Sequence, residues 1–457
     1  MVAYLGQTSV GYTPVGGTFH AGLKESYIGK MGSLIPNLIP LLKWLKESGQ
    51  VKKHKPNGKY IVFDVEDKDG SMVGARGEGR AVPAADSVTS VQGKIPWSRG
   101  IKGRTSISFE AMKFGKEGEG SFVDVLKQDA EGVVRQAQSL MAAYLWGLGD
   151  GVLAKIPASQ DFAAAITVTS SEVADSAGGL VLAPGTRWLR RGMKILPVQA
   201  PGSNYAADGG GECTASTKIS LLSSDTSLTT DDDIGTTAAA ARVLVEHQTA
   251  NTGTDTTSGS VTIGTASSFQ GPSGISEMLS TVSGSSYCNI AVGTYAAWAP
   301  QHSHNSGTVR AYSDDLLYRL FGKMQRYQGS LNPKGAMWMN FDMLREMEAC
   351  SDSFKRYSGR EVKPGFASLE DFAVNGVSFP IKIDPMCPGY IAILDPSAII
   401  FSEAHPLAAN RTTGNEFINV SGYSVFETIY DWICQLFTTA RNKHGVLSDL
   451  SYTVASV

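Results

Sequence analysis

The chain has 457 residues, 42% of them hydrophobic and only 18% charged, with 50 glycines and a formal net charge of -3. That length supports two or three domains with a proper core, and the apolar content excludes disorder throughout. Near-neutral charge excludes a uniformly basic nucleic-acid binder, and low charge with many glycines argues for loops, turns and broad contact surfaces rather than a helical bundle.

The charge is uneven. Residues 1–120 carry 17 Lys and Arg against 11 Asp and Glu, whereas 201–270 hold only Lys218 and Arg242 against eight acids. A basic front and an acidic middle suit contact with further copies of the chain or with a polyanion. Cys213, Cys288, Cys350, Cys387 and Cys434 stand far apart and form no CxxC pair, so reduced thiols are expected rather than a disulfide framework or a zinc knuckle. Residues 1–20 hold no Lys or Arg, which argues against a signal peptide. No apolar run reaches the ~18 residues of a spanning helix, so neither a membrane partner nor export is expected.

Residues 1–33 are rich in Gly, Thr and Ser with scattered aromatics (Tyr4, Tyr12, Phe19, Tyr27), an extended arm that needs another surface to pack on. The spacing predicts a short amphipathic helix over 34–47, with Pro36 in its first turn. Leu38, Leu41, Leu42 and Leu45 share one face, and Lys43, Lys46 and Glu47 lie off it. Lys59–Glu66 predicts a strand and Asp67–Gly70 a turn. From Ser71 to Gly103 glycines alternate with Arg76, Arg80, Lys94, Arg99, Lys102 and Arg104, and strand character returns over Thr105–Met112. Such a basic excursion of about thirty residues between two strands is expected to project from the body and to be functional.

Ser121 is an expected N-cap, with Asp124 in the first turn of a helix running to Trp146. Phe122, Leu126, Val133, Ala137, Leu140, Met141 and Tyr144 supply its apolar face, and Gly147 and Gly149 end it. Beyond residue 158 the chain turns polar: Ser and Thr supply 23 of the 55 residues from Thr214 to Ser268. Strands are predicted at Gly192–Val198, Lys218–Ser223 and Ala241–His247, which makes a small β insertion, in one form a barrel. Residues 271–418 are mixed. A helix capped at Ser313 runs to Gln328, a strand over Gly335–Asn340 leads into a helix over Phe341–Cys350, and strands at Val377–Ile383 and Tyr390–Asp395 flank a turn. Tyr423–Asn442, with no Gly or Pro, predicts a long strand or a bulged pair.

Chemical motifs are weak. Gly115–Ser121 lacks the lysine of a phosphate loop and carries two acids, so it is a connector. A calcium loop around Asp67–Gly70 would need Val65 and Arg76 as ligands and cannot close. Asp231–Asp233 and the pair His302 and His304 fit solvated loops better than metal sites. There is no G-x-S-x-G elbow and no recognisable nucleophilic cysteine, so neither enzymatic activity nor a cofactor is expected.

The order of parts carries a resemblance. Gly147–Ile156 (GLGDGVLAKI), Gly335–Leu344 (GAMWMNFDML) and Val374–Ser397 (VNGVSFPIKIDPMCPGYIAILDPS) resemble, in turn, the exit of the spine helix, the strand-to-helix step of the axial domain and the paired strands after it in tailed-bacteriophage major capsid proteins. Gly271–Ile275 and Val292–Trp298 resemble the lead-in to that domain. The resemblance covers nearly the whole chain through loose motifs, and the polar stretch at about 183–268 departs from many members.

It implies an α+β, Hong Kong 97-like fold. Residues 1–58 would be the N-terminal arm with its short helix and 59–112 the extended loop. Residues 113–157 would form the peripheral domain with the spine helix, 158–269 the β-rich insertion and 270–418 the axial domain, with 419–457 returning to the peripheral domain as long strands. It further implies hexamers and pentamers of the chain, a separate scaffolding protein, a portal at one vertex, non-specific contact with packaged double-stranded DNA and a place for a decoration protein. The setting is the virion, after assembly in the host cytoplasm. Arg76, Arg80, Lys94, Arg99, Lys102 and Arg104 become candidate inter-subunit contacts, and the loop is expected to be mobile until a neighbour orders it. Competing readings are a tail-tube or sheath subunit, an encapsulin-like compartment and, more distantly, a hydrolase.

Overall fold

The computed structural model describes residues 39–53, 60–68, 89–97, 100–108, 125–149, 151–157, 160, 165–174, 180–199, 217–231, 241–245, 271–281, 286–328, 331, 334–351, 371–374, 376–409, 418–419 and 425–452. The predicted arm, the cap at Ser121 and the tip of the basic excursion lie outside them. The chain forms two compact units. One comprises Met1–Leu38, Ile101–Met141 and His405–Trp432, the other Ile39–Gly100, Ala142–Ala404 and Ile433–Val457.

In the first unit the strand Ile101–Ser108 pairs antiparallel with Val425–Trp432, the leading part of a 14-residue strand, Val425–Thr438. The predicted long strand is therefore one continuous strand, built from β-branched and aromatic residues. Gly103 faces Val133 of the helix Val125–Trp146 so closely that a Cβ there would overlap the valine. The 22 residues of that helix span about 33 Å.

The second unit is built on a mixed sheet in the order Gln301–Ser303, Gly445–Leu447, Ile391–Leu394, Ala336–Met339, Val377–Ile383, Asp371–Val374. On one face Met337, Met339, Phe379, Ile391, Ile393 and Leu447 pack on two helices. Asp314–Gln328 contributes Leu317, Leu320, Phe321 and Met324, and Phe341–Ser351 contributes Met343, Leu344 and Met347. The opposite face carries Trp338, which meets Trp44 edge-on at 5.5 Å and Trp146 at 6.1 Å. Trp146 Nε1 donates to Asp384 Oδ2 at 2.9 Å, and Asp384 also accepts from the backbone N–H groups of Met386 and Leu41. Burial raises the Asp384 pKa, and the three donors oppose the rise. The contact with Leu41 matters because the helix Pro40–Glu47 has no side-chain cap of its own at Ile39. A carboxylate more than three hundred residues away supplies the acceptor.

That helix starts at Pro40, not at Leu34. Proline suits the first helical position and would break a helix run through it. Leu41, Leu42 and Leu45 are buried and Lys43, Lys46 and Glu47 exposed as predicted; Trp44 joins the inner face, and Leu38 lies outside the described residues.

A second, wholly antiparallel sheet runs Ala154–Ile156, Ala241–Val245, Lys194–Gln199, Thr217–Ser224, Ser227–Thr230, Ile166–Thr167. It contains the three predicted strands of the insertion. Among the described residues it is an open sheet with two distinct edge strands rather than a barrel. A separate hairpin, Ser170–Ala174 with Leu180–Pro184, carries Glu172. Glu172 is buried and bound bidentately by Arg187, at 2.9 and 3.1 Å. It also accepts from the Gly389 N–H and from Tyr452 Oη at 2.7 Å. Burial opposes charge on Arg187, but Glu172 and Tyr452 outweigh it and hold the guanidinium pKa above its ordinary value.

Candidate assembly surfaces

The basic excursion is in part an ordered hairpin. Tyr60–Lys68 pairs antiparallel with Thr89–Pro96, a strand that the sequence pattern hides. Of the predicted turn at Asp67–Gly70, Asp67 and Lys68 instead belong to the strand Tyr60–Lys68, with a bulge where Lys68 pairs with Thr89 after a register shift, and Asp69 and Gly70 lie outside the described residues. The inner face reads Ile61, Phe63 and Val65 on one strand and Val91, Gly93 and Ile95 on the other, with Ile95 fully buried. Phe63 lies over Gly93, where a Cβ would come within 2.6 Å of the ring, and stacks on Phe437 at 5.3 Å. Lys94 N–H donates to Cys288 O at 2.8 Å, and Gln435 Nε2 donates to Pro96 O at 3.1 Å. An apolar stripe, one main-chain bond and one side-chain bond thus tie residues 89–96 to their own unit. Its outer face exposes Tyr60, Val62, Asp64 and Glu66 beside Lys94, so it is mixed in charge rather than basic.

Of the six candidate contacts, Arg76, Arg80 and Arg99 lie outside the described residues. Lys94 is exposed on the hairpin. Lys102 and Arg104 are exposed on the strand Ile101–Ser108 of the other unit. Lys102 sits opposite Asp431 in the ladder, and Arg104 Nη1 is 3.5 Å from Glu427 Oε1. The strand therefore begins at Ile101 rather than Thr105, and acids of the same chain already stand beside its cations. Arg104 remains 68% exposed, and an ion pair so placed contributes little.

A surface absent from the sequence-based candidates lies on the helix Asp314–Gln328. Directly opposite its buried stripe stand Asp315, Arg319, Gly322 and Arg326, flanked by Tyr318, which is 50% exposed. Asp315 and Arg319 pair at 2.8 Å. A Cβ at Gly322 would meet nothing within 4 Å among the described residues. The sheet beneath this helix has a bare patch at its far edge. Phe372, Val374, Val377 and Phe379 point toward the helices, so the alternation turns Asp371, Ala373 and Ser378 to the opposite face, where all three are exposed.

The predicted solvated loop at His302 is corrected. His302 is buried in the strand Gln301–Ser303, with Nε2 2.8 Å from Ser448 Oγ. Among the described residues no group of three or more His, Cys, Asp or Glu is placed to hold a metal ion, and no helix is long and apolar enough to cross a membrane. Cys288, Cys350, Cys387 and Cys434 are free thiols.

No family model and no curated protein matches the sequence. Solved structures do. A chain of the cyanophage A-1(L) capsid asymmetric unit superposes with a TM-score of 0.54 at 10% identity, covering 94% of this chain and 97% of the other. The chain has a Hong Kong 97-like capsid fold. Weaker likenesses include the capsid of the native GTA particle, with a TM-score of 0.42, 10% identity and 94% of both chains covered. The SrpI encapsulin complex of Synechococcus elongatus PCC 7942 gives a TM-score of 0.38 at 8% identity, covering 93% and 95%. The α+β Hong Kong 97-like architecture read from the order of parts is thus the observed one, while identities near a tenth leave function to be argued separately.

Proposed function

We propose that the chain is the major capsid protein of a tailed bacteriophage, whose copies form the icosahedral head shell around a double-stranded DNA genome. The whole-length likeness to a cyanophage capsid chain carries this reading. In it, residues 1–58 act as the arm, 59–112 as the extended loop, 113–157 and 419–457 as the peripheral domain, and 270–418 as the axial domain of hexamers and pentamers. The 158–269 segment is an insertion. Lys94, Lys102 and Arg104 join Arg76, Arg80 and Arg99 as contacts to neighbours. A separate scaffolding protein, a portal and the packaged DNA are the further partners. Many modest contacts, repeated over a closed surface, make such a particle stable although each is weak.

Electron microscopy of the chain expressed alone and with the scaffolding protein tests the proposal. Closed icosahedral shells are expected. Helical tubes, or monomers under every condition, would overturn it, and an enzyme cargo copurifying in the shells would favour a compartment over a virion.

A further inference from the structure

We infer that the exposed face of the helix Asp314–Gln328 docks on the bare sheet patch Asp371, Ala373 and Ser378 of a second copy of this chain. The inference rests on the capsid reading and names the surfaces through which copies meet. Its first ground is Gly322. A glycine in mid-helix is a stability loss relative to alanine. Among the described residues nothing explains one at the centre of an exposed face, where a Cβ would meet no atom within 4 Å. Close approach of another backbone does explain it. The second ground is the company it keeps. Tyr318, Arg319 and Arg326 surround it, and Tyr and Arg are the residue types enriched where interfaces draw their binding energy.

The third ground is the layering. Toward its centre the sheet is covered on both faces, by the two helices and by the cluster of Trp44, Trp146 and Trp338. At the Asp371–Val374 edge no second cover stands among the described residues, and Asp371, Ala373 and Ser378, exposed there, are small or polar, a seat for a helix. Helix face and bare patch lie on opposite sides of one module, so they cannot meet within a chain. One rotation, repeated, seats the helix of each copy on the sheet of the next, a head-to-tail contact that closes into a ring. Charge agrees, because Arg319 already balances Asp315 on the helix and Arg326 is left to meet the exposed Asp371 of the patch.

The test uses particles of the full chain carrying Arg326→Cys and Ala373→Cys together, treated with the short crosslinker bismaleimidoethane and run on a denaturing gel. Covalent multimers up to a closed ring are expected, with none from either single variant. Particles that form but stay uncrosslinked, or that crosslink to a different protein, overturn the pairing. A second variant, Gly322→Trp, should leave a soluble folded subunit and lower particle yield at least tenfold; an unchanged yield overturns the inference. If the unmodified chain never forms particles, the capsid reading falls with it, whereas normal particles with failed crosslinking defeat the pairing alone.

Discussion

Acidification should destabilise the second unit through one histidine. His444 is fully buried. Its Nδ1 accepts from the Asp395 N–H at 3.2 Å, so the neutral ring carries its proton on Nε2 and donates it to Thr438 Oγ1 at 3.0 Å. Protonating Nδ1 would set one donor against another. Desolvation is the largest cause of its low pKa. Asp395 pulls the other way, Lys443 and Arg441 push it further down, and the result is about 4 against an ordinary 6.5. Between those values the unfolded chain takes up a proton that the folded chain refuses, so stability falls as pH drops below 6.5. At 1.36 kcal/mol per unit the loss reaches about 3 kcal/mol by pH 4. Urea unfolding of the subunit, followed by tryptophan fluorescence from pH 7.5 to 4, measures it. Carboxylates also titrate in this range, so the readout is the difference from His444→Gln, whose amide can replace both hydrogen bonds. The stability advantage of the native chain should shrink by about 3 kcal/mol across the range. Parallel curves for the two proteins would refute the assignment.

Two further outcomes follow from packing. Arg441 is buried, keeps a pKa of about 10 because desolvation lowers it, and donates to the carbonyls of Glu277, Met278 and Ser280 at the end of the short helix Ile275–Leu279. Arg441→Met strips three acceptors of their donor and should cost about 3 kcal/mol in urea unfolding; a loss below about 1 kcal/mol would refute the capping role. Gly93→Val drives a side chain into Phe63 and should cost about 1–3 kcal/mol. Hydrogen exchange at Ser90–Ile95 should quicken by an order of magnitude or more, and unchanged protection would show that Phe63 does not depend on this glycine.

What the sequence made legible was local. The helix Asp314–Gln328, the step from Ala336–Met339 into Phe341–Ser351 and the strands Val377–Ile383 and Ile391–Leu394 follow from periodicity and caps within a dozen residues. The strand Thr89–Pro96 escaped because its inward positions include Gly93, which carries no apolar signal until Phe63 is seen lying over it. The strand Ile399–Ala409 escaped because Pro406 interrupts its pattern. Gly322 was visible, but its meaning depends on which face of the helix is buried, and that is a tertiary fact. Asp384 was unreadable as a cap, since its partners Leu41 and Trp146 come from distant parts of the chain.

The same distance argument bears on the insertion. A module appended to a capsid fold would be expected to meet the rest of its subunit through solvated loops. Here Ala154–Ile156, just past the long helix, is itself a strand of the antiparallel sheet. Glu172, on the hairpin, is a shared acceptor for Arg187, for Gly389 in the turn between two strands of the central sheet and for Tyr452 beyond its last strand. Gly389 is itself fixed by this contact, because a Cβ there would run into the Tyr452 ring. Truncating Glu172 in place would leave the buried Gly389 N–H, the half-buried Tyr452 phenol and the Arg187 guanidinium without their carboxylate, a cost on the order of several kcal/mol. The hairpin that opens the insertion is therefore integral to this unit.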